Sequence, residues 1–180
     1  MKNQLKRFAL TLPTFMITLM VLLLLGCGGN TDHEANRNSV NSTTAKKPDG
    51  VVRLVINSDD LMQFDKEELK VKAGSTVALT LRHTGQLSKD VMGHNLIILK
   101  QGVDMATFAK KAAVATDTEY VPTGNETIAY TKVIGGGEAT TITFEAPPVG
   151  TYDFLCSFTA QYTVMKGIFI VELARIPGRL

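Results

Sequence analysis

From Val51 onward, hydrophobic and polar positions alternate along most of the chain. The clearest run is Thr76-Val77-Ala78-Leu79-Thr80-Leu81-Arg82-His83, which sets Val77, Leu79, Leu81 and His83 on one face of a strand. The same pattern predicts strands over 51–57, 68–73, 76–83, 94–100, 127–133, 139–145, 150–156 and 166–173. Leu96-Ile97-Ile98-Leu99 is apolar at every position, as in a strand buried on both faces. Residues 103–113 break the alternation and predict a short helix. Eight short strands with polar turns between them predict an all-β fold: an eight-stranded Greek-key β-sandwich or barrel with one short inserted helix.

Ahead of Val51 the pattern changes twice. Lys2, Lys6 and Arg7 precede an apolar stretch from Phe8 to Leu25, the layout of an export signal. The stretch ends Leu24-Leu25-Gly26-Cys27, which resembles a bacterial lipobox: Gly26 supplies the small residue before the cut, and the Cys27 thiol receives the lipid. The same 18 residues also suit a retained transmembrane helix, or a signal removed to leave a soluble protein. Residues 27–50 are small and polar and read as a flexible tether. The expected organisation is therefore a signal peptide over 1–26, a tether over 27–50, a folded domain over 51–175 and a tail over 176–180. Such a protein faces the periplasm on a lipid anchor. Gly28 rather than Asp after Cys27 favours the outer membrane in Gram-negative sorting.

Composition supports a packed core, with 44% of residues hydrophobic. The net charge of +2 belongs to the signal; beyond residue 26 there are 16 basic and 17 acidic residues. No basic patch points to nucleic acid as a partner. The acidic stretch Asp59, Asp60, Asp65, Glu67 and Glu68 lacks the spacing of a calcium loop and reads as a solvated surface.

With Cys27 lipidated, Cys156 has no disulfide partner in the domain. An unpaired thiol in an oxidising compartment is a liability unless it is buried or metal-bound. Two segments offer a metal. One is Asp90-Val91-Met92-Gly93-His94-Asn95, and the other runs from Cys156 through Gln161 to Met165-Lys166-Gly167. A thiolate, an imidazole and a thioether from separate parts of the chain are the donors that a blue-copper site uses.

These two segments resemble the azurin-like cupredoxins, the group that includes azurin and auracyanin. Further echoes are Met62-Gln63-Phe64, Leu81-Arg82-His83-Thr84-Gly85 and Thr131-Lys132-Val133-Ile134-Gly135-Gly136-Gly137-Glu138, so the likeness spans roughly residues 51–173. The resemblance implies a copper-binding electron carrier that meets redox partner proteins and is not an enzyme. It implies metal contacts from His94, Cys156 and Met165, with the Gly93 carbonyl as a distant axial neighbour. Asn95 is expected to bond across to the Cys156–Ser157 backbone. Met62, Leu87, Met92, Phe158, Ala160 and Val164 are expected to form the apolar docking surface, and His83 to be a buried histidine that does not bind metal. His33 falls in the tether.

One position departs from the family pattern. Gln161 stands where these proteins place their solvent-facing histidine ligand. A carboxamide oxygen is a harder, weaker donor than imidazole, and the other donors are soft enough to favour Cu(I). Four arrangements stay open: Gln161 ligates, water or a small molecule takes the place, a partner's histidine enters, or the site is degenerate. A Cu(I)-handling or sensing module and a metal-free binding domain are accordingly the alternative functions. The family's structural disulfide has no counterpart here.

Overall fold

The computed structural model describes residues 50–174. Cys27, His33, the signal segment, the tether to residue 49 and the C-terminal tail lie outside the described residues.

Among the described residues, eight strands form two sheets. The strands β1 (Val51–Ser58), β3 (Thr76–His83) and β6 (Ala139–Glu145) make a three-stranded sheet in the order β1-β3-β6. The second sheet has the order β2-β8-β7-β4-β5, from β2 (Glu68–Lys72), β8 (Lys166–Glu172), β7 (Gly150–Leu155), β4 (Ile97–Leu99) and β5 (Thr127–Tyr130). The pairs β1–β3 and β2–β8 are parallel and the others antiparallel. The chain changes sheet at every connection except β4–β5 and β7–β8, which join antiparallel neighbours within one sheet, as in a Greek key.

The alternation in β3 has the expected result. Val77, Leu79 and Leu81 are fully buried and pack between the sheets with Leu69, Val71, Leu96, Ile98, Phe154 and Phe169. Removing each such side chain from water contributes about 1.5–3 kcal/mol. β4 is buried on both faces because a helix covers its outer side. That helix, α2 (Met105–Ala113), sets Phe108, Ala109 and Ala112 against Ile97, Leu99 and Leu155. The Asp104 side chain caps α2 by accepting from the Thr107 N–H at 2.8 Å, and Lys110 and Lys111 complement its C-terminal dipole. The sequence pattern did not predict α1 (Lys89–Met92), a single turn ahead of Gly93.

Two strands are shorter than predicted by several residues, for one reason, while β2, β7 and β8 each end one residue early. The 94–100 run narrows to Ile97–Leu99, and the 127–133 run ends at Tyr130. Residues at their ends leave the regular ladder for side-chain and bridge contacts. His94 and Ile134 form an isolated bridge, the Thr131 hydroxyl takes the Leu96 N–H, and the Glu119 carboxylate takes the Val133 N–H. Of the residues freed from the ladder, His94, Asn95 and Val133 lie beside Cys156 and Ser157.

Candidate metal centre

Three loops meet at one end of the sandwich: residues 59–67 after β1, 84–96 after β3, and 156–165 between β7 and β8. Cys156 directly follows β7, and its N–H donates to the Met165 carbonyl at 2.9 Å, so both residues sit at the mouth of one hairpin. Both side chains are fully buried and share a cluster with Val133 and Phe158. Within this loop Ala160 adopts a left-handed backbone (φ 63°), and a tight helical turn over Gln161–Thr163 follows it. That turn sends the Gln161 side chain inward, leaving the residue 5% exposed.

His94 is also fully buried, and its Nδ1 lies 3.9 Å from Cys156 Sγ. Gln161 Oε1 lies 2.8 Å from that Nδ1 and accepts from the Cys156 thiol at 3.2 Å. On the other side of the ring, His94 Nε2 is 2.8 Å from the Asp59 carbonyl. His94 thus stands between two acceptor oxygens, and a neutral imidazole has a single N–H. Burial holds its pKa below the usual histidine value, against the hydrogen bonds from Asp59 and Gln161. The doubly protonated ring that would satisfy both oxygens is therefore disfavoured. A cation shared by Nδ1, Oε1 and Sγ resolves the conflict, with Nε2–H donating to Asp59. The spacing suits one: with bonds of about 2.0 Å to nitrogen and about 2.3 Å to sulfur, two donors on one ion lie up to about 4.3 Å apart. The residues present fit a copper ion on both donor chemistry and spacing. Among the described residues no group of three or more His, Cys, Asp and Glu could hold a metal, and the other potential donors near Cys156 are the Gln161 carboxamide and the buried Met165 thioether.

Burial pushes the Cys156 thiol up to about 12, while the backbone N–H groups of Asn95 and Phe158 pull the other way. The metal-free cysteine is a thiol, and binding a metal releases its proton. Asn95 ties the two loops together as expected. Its Oδ1 accepts from the Ser157 N–H at 2.9 Å, and its Nδ2 donates to Ser157 Oγ at 2.9 Å. The Ser157 hydroxyl donates to the Tyr120 carbonyl at 2.7 Å, and Asn95 Nδ2 also reaches the Glu119 carbonyl. Glu119 and Tyr120 both have left-handed backbones, at φ 55° and 63°, a strained pair that aims both carbonyls at the clamp.

His83 is a core histidine, as predicted. The Gly85 N–H donates to its Nδ1 at 3.0 Å, so Nε2–H donates to the Met92 carbonyl at 2.9 Å. Its ring stacks on that of His94, centroids 4.5 Å apart. Gly93 is confined: a Cβ there would come within 2.5 Å of the Lys89 carbonyl and 2.7 Å of Val133 Cγ1. Gly135 and Gly136 form a turn against the backbone of Lys89 and Gln86, where a Cβ would also clash.

The expected docking residues divide. Met62, Leu87, Ala160 and Val164 are exposed, and Met92 is half-buried. Phe158 is a correction: its ring is buried in the cluster with Cys156 and Met165 and stacks edge-on with Tyr120. Leu61 and Val91, more than 60% exposed, were missed. Leu61, Met62, Phe64 and Val164 line one open groove beside the site. The acidic stretch also needs correcting, because its first two carboxylates are structural. Asp59 accepts from the Leu61 and Gln63 N–H groups, and Asp60 from those of Gln86 and Leu87, tying the first loop to the second. A main-chain acceptor such as the Asp59 carbonyl leaves no mark in a sequence.

A β-sandwich that gathers a buried cysteine, histidine and methionine at one end defines the cupredoxin class. The chain belongs to the plastocyanin/azurin family of copper binding proteins, whose family model matches residues 51–172. It is an azurin-like cupredoxin, and its cofactor is one copper ion. Azurin-1 of Alcaligenes xylosoxydans xylosoxydans is 38% identical over 118 residues, which cover 63% of this chain and 92% of the relative. Outer membrane protein H.8 of Neisseria gonorrhoeae is 40% identical over 116 residues, covering 62% of this chain and 63% of that protein. Among solved structures, auracyanin A, a "blue" copper protein from Chloroflexus aurantiacus, superposes with a TM-score of 0.62 at 30% identity, over 68% of this chain and all of that one. Reduced auracyanin from Roseiflexus castenholzii gives 0.60 at 34% identity, over 67% of this chain and 97% of that one.

Proposed function

We propose that the chain is a lipid-anchored, periplasm-facing electron carrier. In it, His94, Cys156, Gln161 and Met165 would hold the copper, with the Gly93 carbonyl as a further candidate neighbour. The observation that carries this reading is the buried convergence of His94 Nδ1, Gln161 Oε1 and Cys156 Sγ. When bound, copper supplies one-electron chemistry between Cu(I) and Cu(II). The chain's residues hold the donors and exclude water. Asp59 fixes the His94 ring, Asn95 locks the two loops, and the Asn95 and Phe158 amides favour a charged sulfur. Met62, Leu87, Ala160 and Val164, with Leu61, Val91 and Met92, offer redox partners an apolar face.

The anchor reading assigns residues 1–26 to a signal peptide, lipid to Cys27, and 27–50 to a tether for the domain over 51–175. The H.8 relative, named as an outer membrane protein, supports a membrane-bound position. A second reading, a module that keeps Cu(I) and passes it on, is favoured by Gln161 in place of an imidazole. Spectroelectrochemistry on the full-length protein separates the two. A carrier cycles reversibly with one copper retained per chain, whereas a copper-handling module loses its metal on oxidation. For the anchor, mass spectrometry of the membrane-extracted protein is expected to find an acylated Cys27 at the N-terminus, and Cys27→Ser to release or stall the protein. An unmodified N-terminus elsewhere would remove the anchor from the account.

A further inference from the structure

We infer that Met92 orients Gln161: its thioether turns the carboxamide so that oxygen, not nitrogen, faces Cys156 and His94. The inference rests on the reading of Gln161 as a ligand. The two ends of a glutamine amide have nearly the same size, so hydrogen-bond partners decide which way it points. Three neighbours act on this one. The Cys156 thiol, 3.2 Å from Oε1, is a donor and selects oxygen. Met92 Sδ, 3.6 Å from Nε2, is an acceptor and selects the NH2 group for the opposite end. With Nε2–H given to Asp59, His94 Nδ1 offers a lone pair and pulls the NH2 group toward the pocket instead.

Both sulfur contacts are weak hydrogen bonds. Together they outweigh His94. Without Met92 the weak thiol contact alone opposes the His94 lone pair, and the amide turns its NH2 group toward His94. The consequence for copper is direct. A carboxamide oxygen has lone pairs to give a metal, whereas the nitrogen's is delocalised into the carbonyl. Met92 is well placed for this role because its own backbone is held. Its carbonyl accepts from His83 Nε2–H, and the confined Gly93 follows it. Met92 is thus a positioning residue as well as part of the apolar face.

The test is Met92→Leu in the full-length protein, a swap that nearly conserves volume and removes the acceptor. Cu(II) affinity is expected to fall about tenfold, the lower end of what loss of a supporting partner costs a metal site. In a Gln161→His background, where there is no amide to orient, the same change should shift affinity by less than about twofold. In the metal-free protein, NMR should show the Gln161 NH2 protons beside the Met92 methyl group. In Met92→Leu they should appear beside the His94 ring. Equal weakening in both backgrounds would make Met92 a packing residue and overturn the inference, as would an unchanged affinity and amide orientation. Gln161→Ala separates this failure from that of the underlying reading. If it alters neither copper affinity nor spectrum, Gln161 is not a ligand and both fall. If it alters both while Met92→Leu alters neither, only the role of Met92 falls.

Discussion

Cys156→Ser is expected to abolish the visible charge-transfer colour of the copper-loaded protein. It should also weaken copper binding on the order of a thousandfold, equivalent to about 4 kcal/mol. The sulfur is fully buried, sits 3.9 Å from His94 Nδ1 and receives backbone N–H groups suited to a negative charge. A serine hydroxyl at the same place holds its proton far more tightly and gives copper no comparable bond. The fold should survive, because the sandwich core lies between the sheets and needs no metal. A serine there can still donate to Gln161 Oε1, so the metal-free variant should lose no more than about 1–2 kcal/mol in urea unfolding. Unchanged absorption and copper content in this variant would show that the metal lies elsewhere. Unfolding of the variant would show that the thiol is a packing element first.

Gln161→His is expected to have the opposite effect. The wild-type side chain already reaches the pocket from a buried turn, with its oxygen 2.8 Å from His94 Nδ1. An imidazole on the same backbone gives Cu(II) a stronger donor than a carboxamide. Cu(II) binding should tighten by at least about tenfold, or 1.4 kcal/mol. If Cu(I) affinity is unchanged, the reduction potential should fall by about 59 mV for each factor of ten. Copper titration and spectroelectrochemistry measure both. The burial of Gln161 bears on the other arrangements of this position. Its side chain fills the gap that water, a small molecule or a partner's histidine would take. Added imidazole should therefore leave the wild-type spectrum unchanged. A shift on adding imidazole would mean that Gln161 swings out. A Gln161→His variant that binds no copper would mean that the loop has lost its competence.

Strand alternation made the sandwich legible, because its physical cause is local: successive side chains point to opposite faces. The double burial of Ile97, Ile98 and Leu99 was readable for the same reason, since a continuous apolar run requires cover on both sides. Where the strands end was not readable. Ladder bonds there give way to single contacts, such as the Thr131 hydroxyl on the Leu96 N–H, made between residues distant in sequence. The site divides in the same way. His94, Gln161, Cys156 and Met165 stood out because donor chemistry and spacing are written in side chains. The Asp59 carbonyl on His94, and the Glu119 and Tyr120 carbonyls on the Asn95 clamp, are main-chain atoms with no residue signature. Asp60 looked like surface charge because its partners, the amides of Gln86 and Leu87, lie in another loop. Phe158 was placed on the docking surface by resemblance alone, while its ring turns inward to Cys156 and Met165.

The central claim is that His94, Gln161 and Cys156 share one copper ion at the end of the sandwich. The visible and electron paramagnetic resonance spectra of the full-length protein, loaded with one equivalent of Cu(II), test it most directly. The account predicts an intense thiolate-to-copper absorption, with nitrogen coupling from a single histidine, that is bleached by reductant and restored by oxidant. A colourless protein whose copper signal shows only oxygen and nitrogen donors, unchanged in Cys156→Ser, would contradict it.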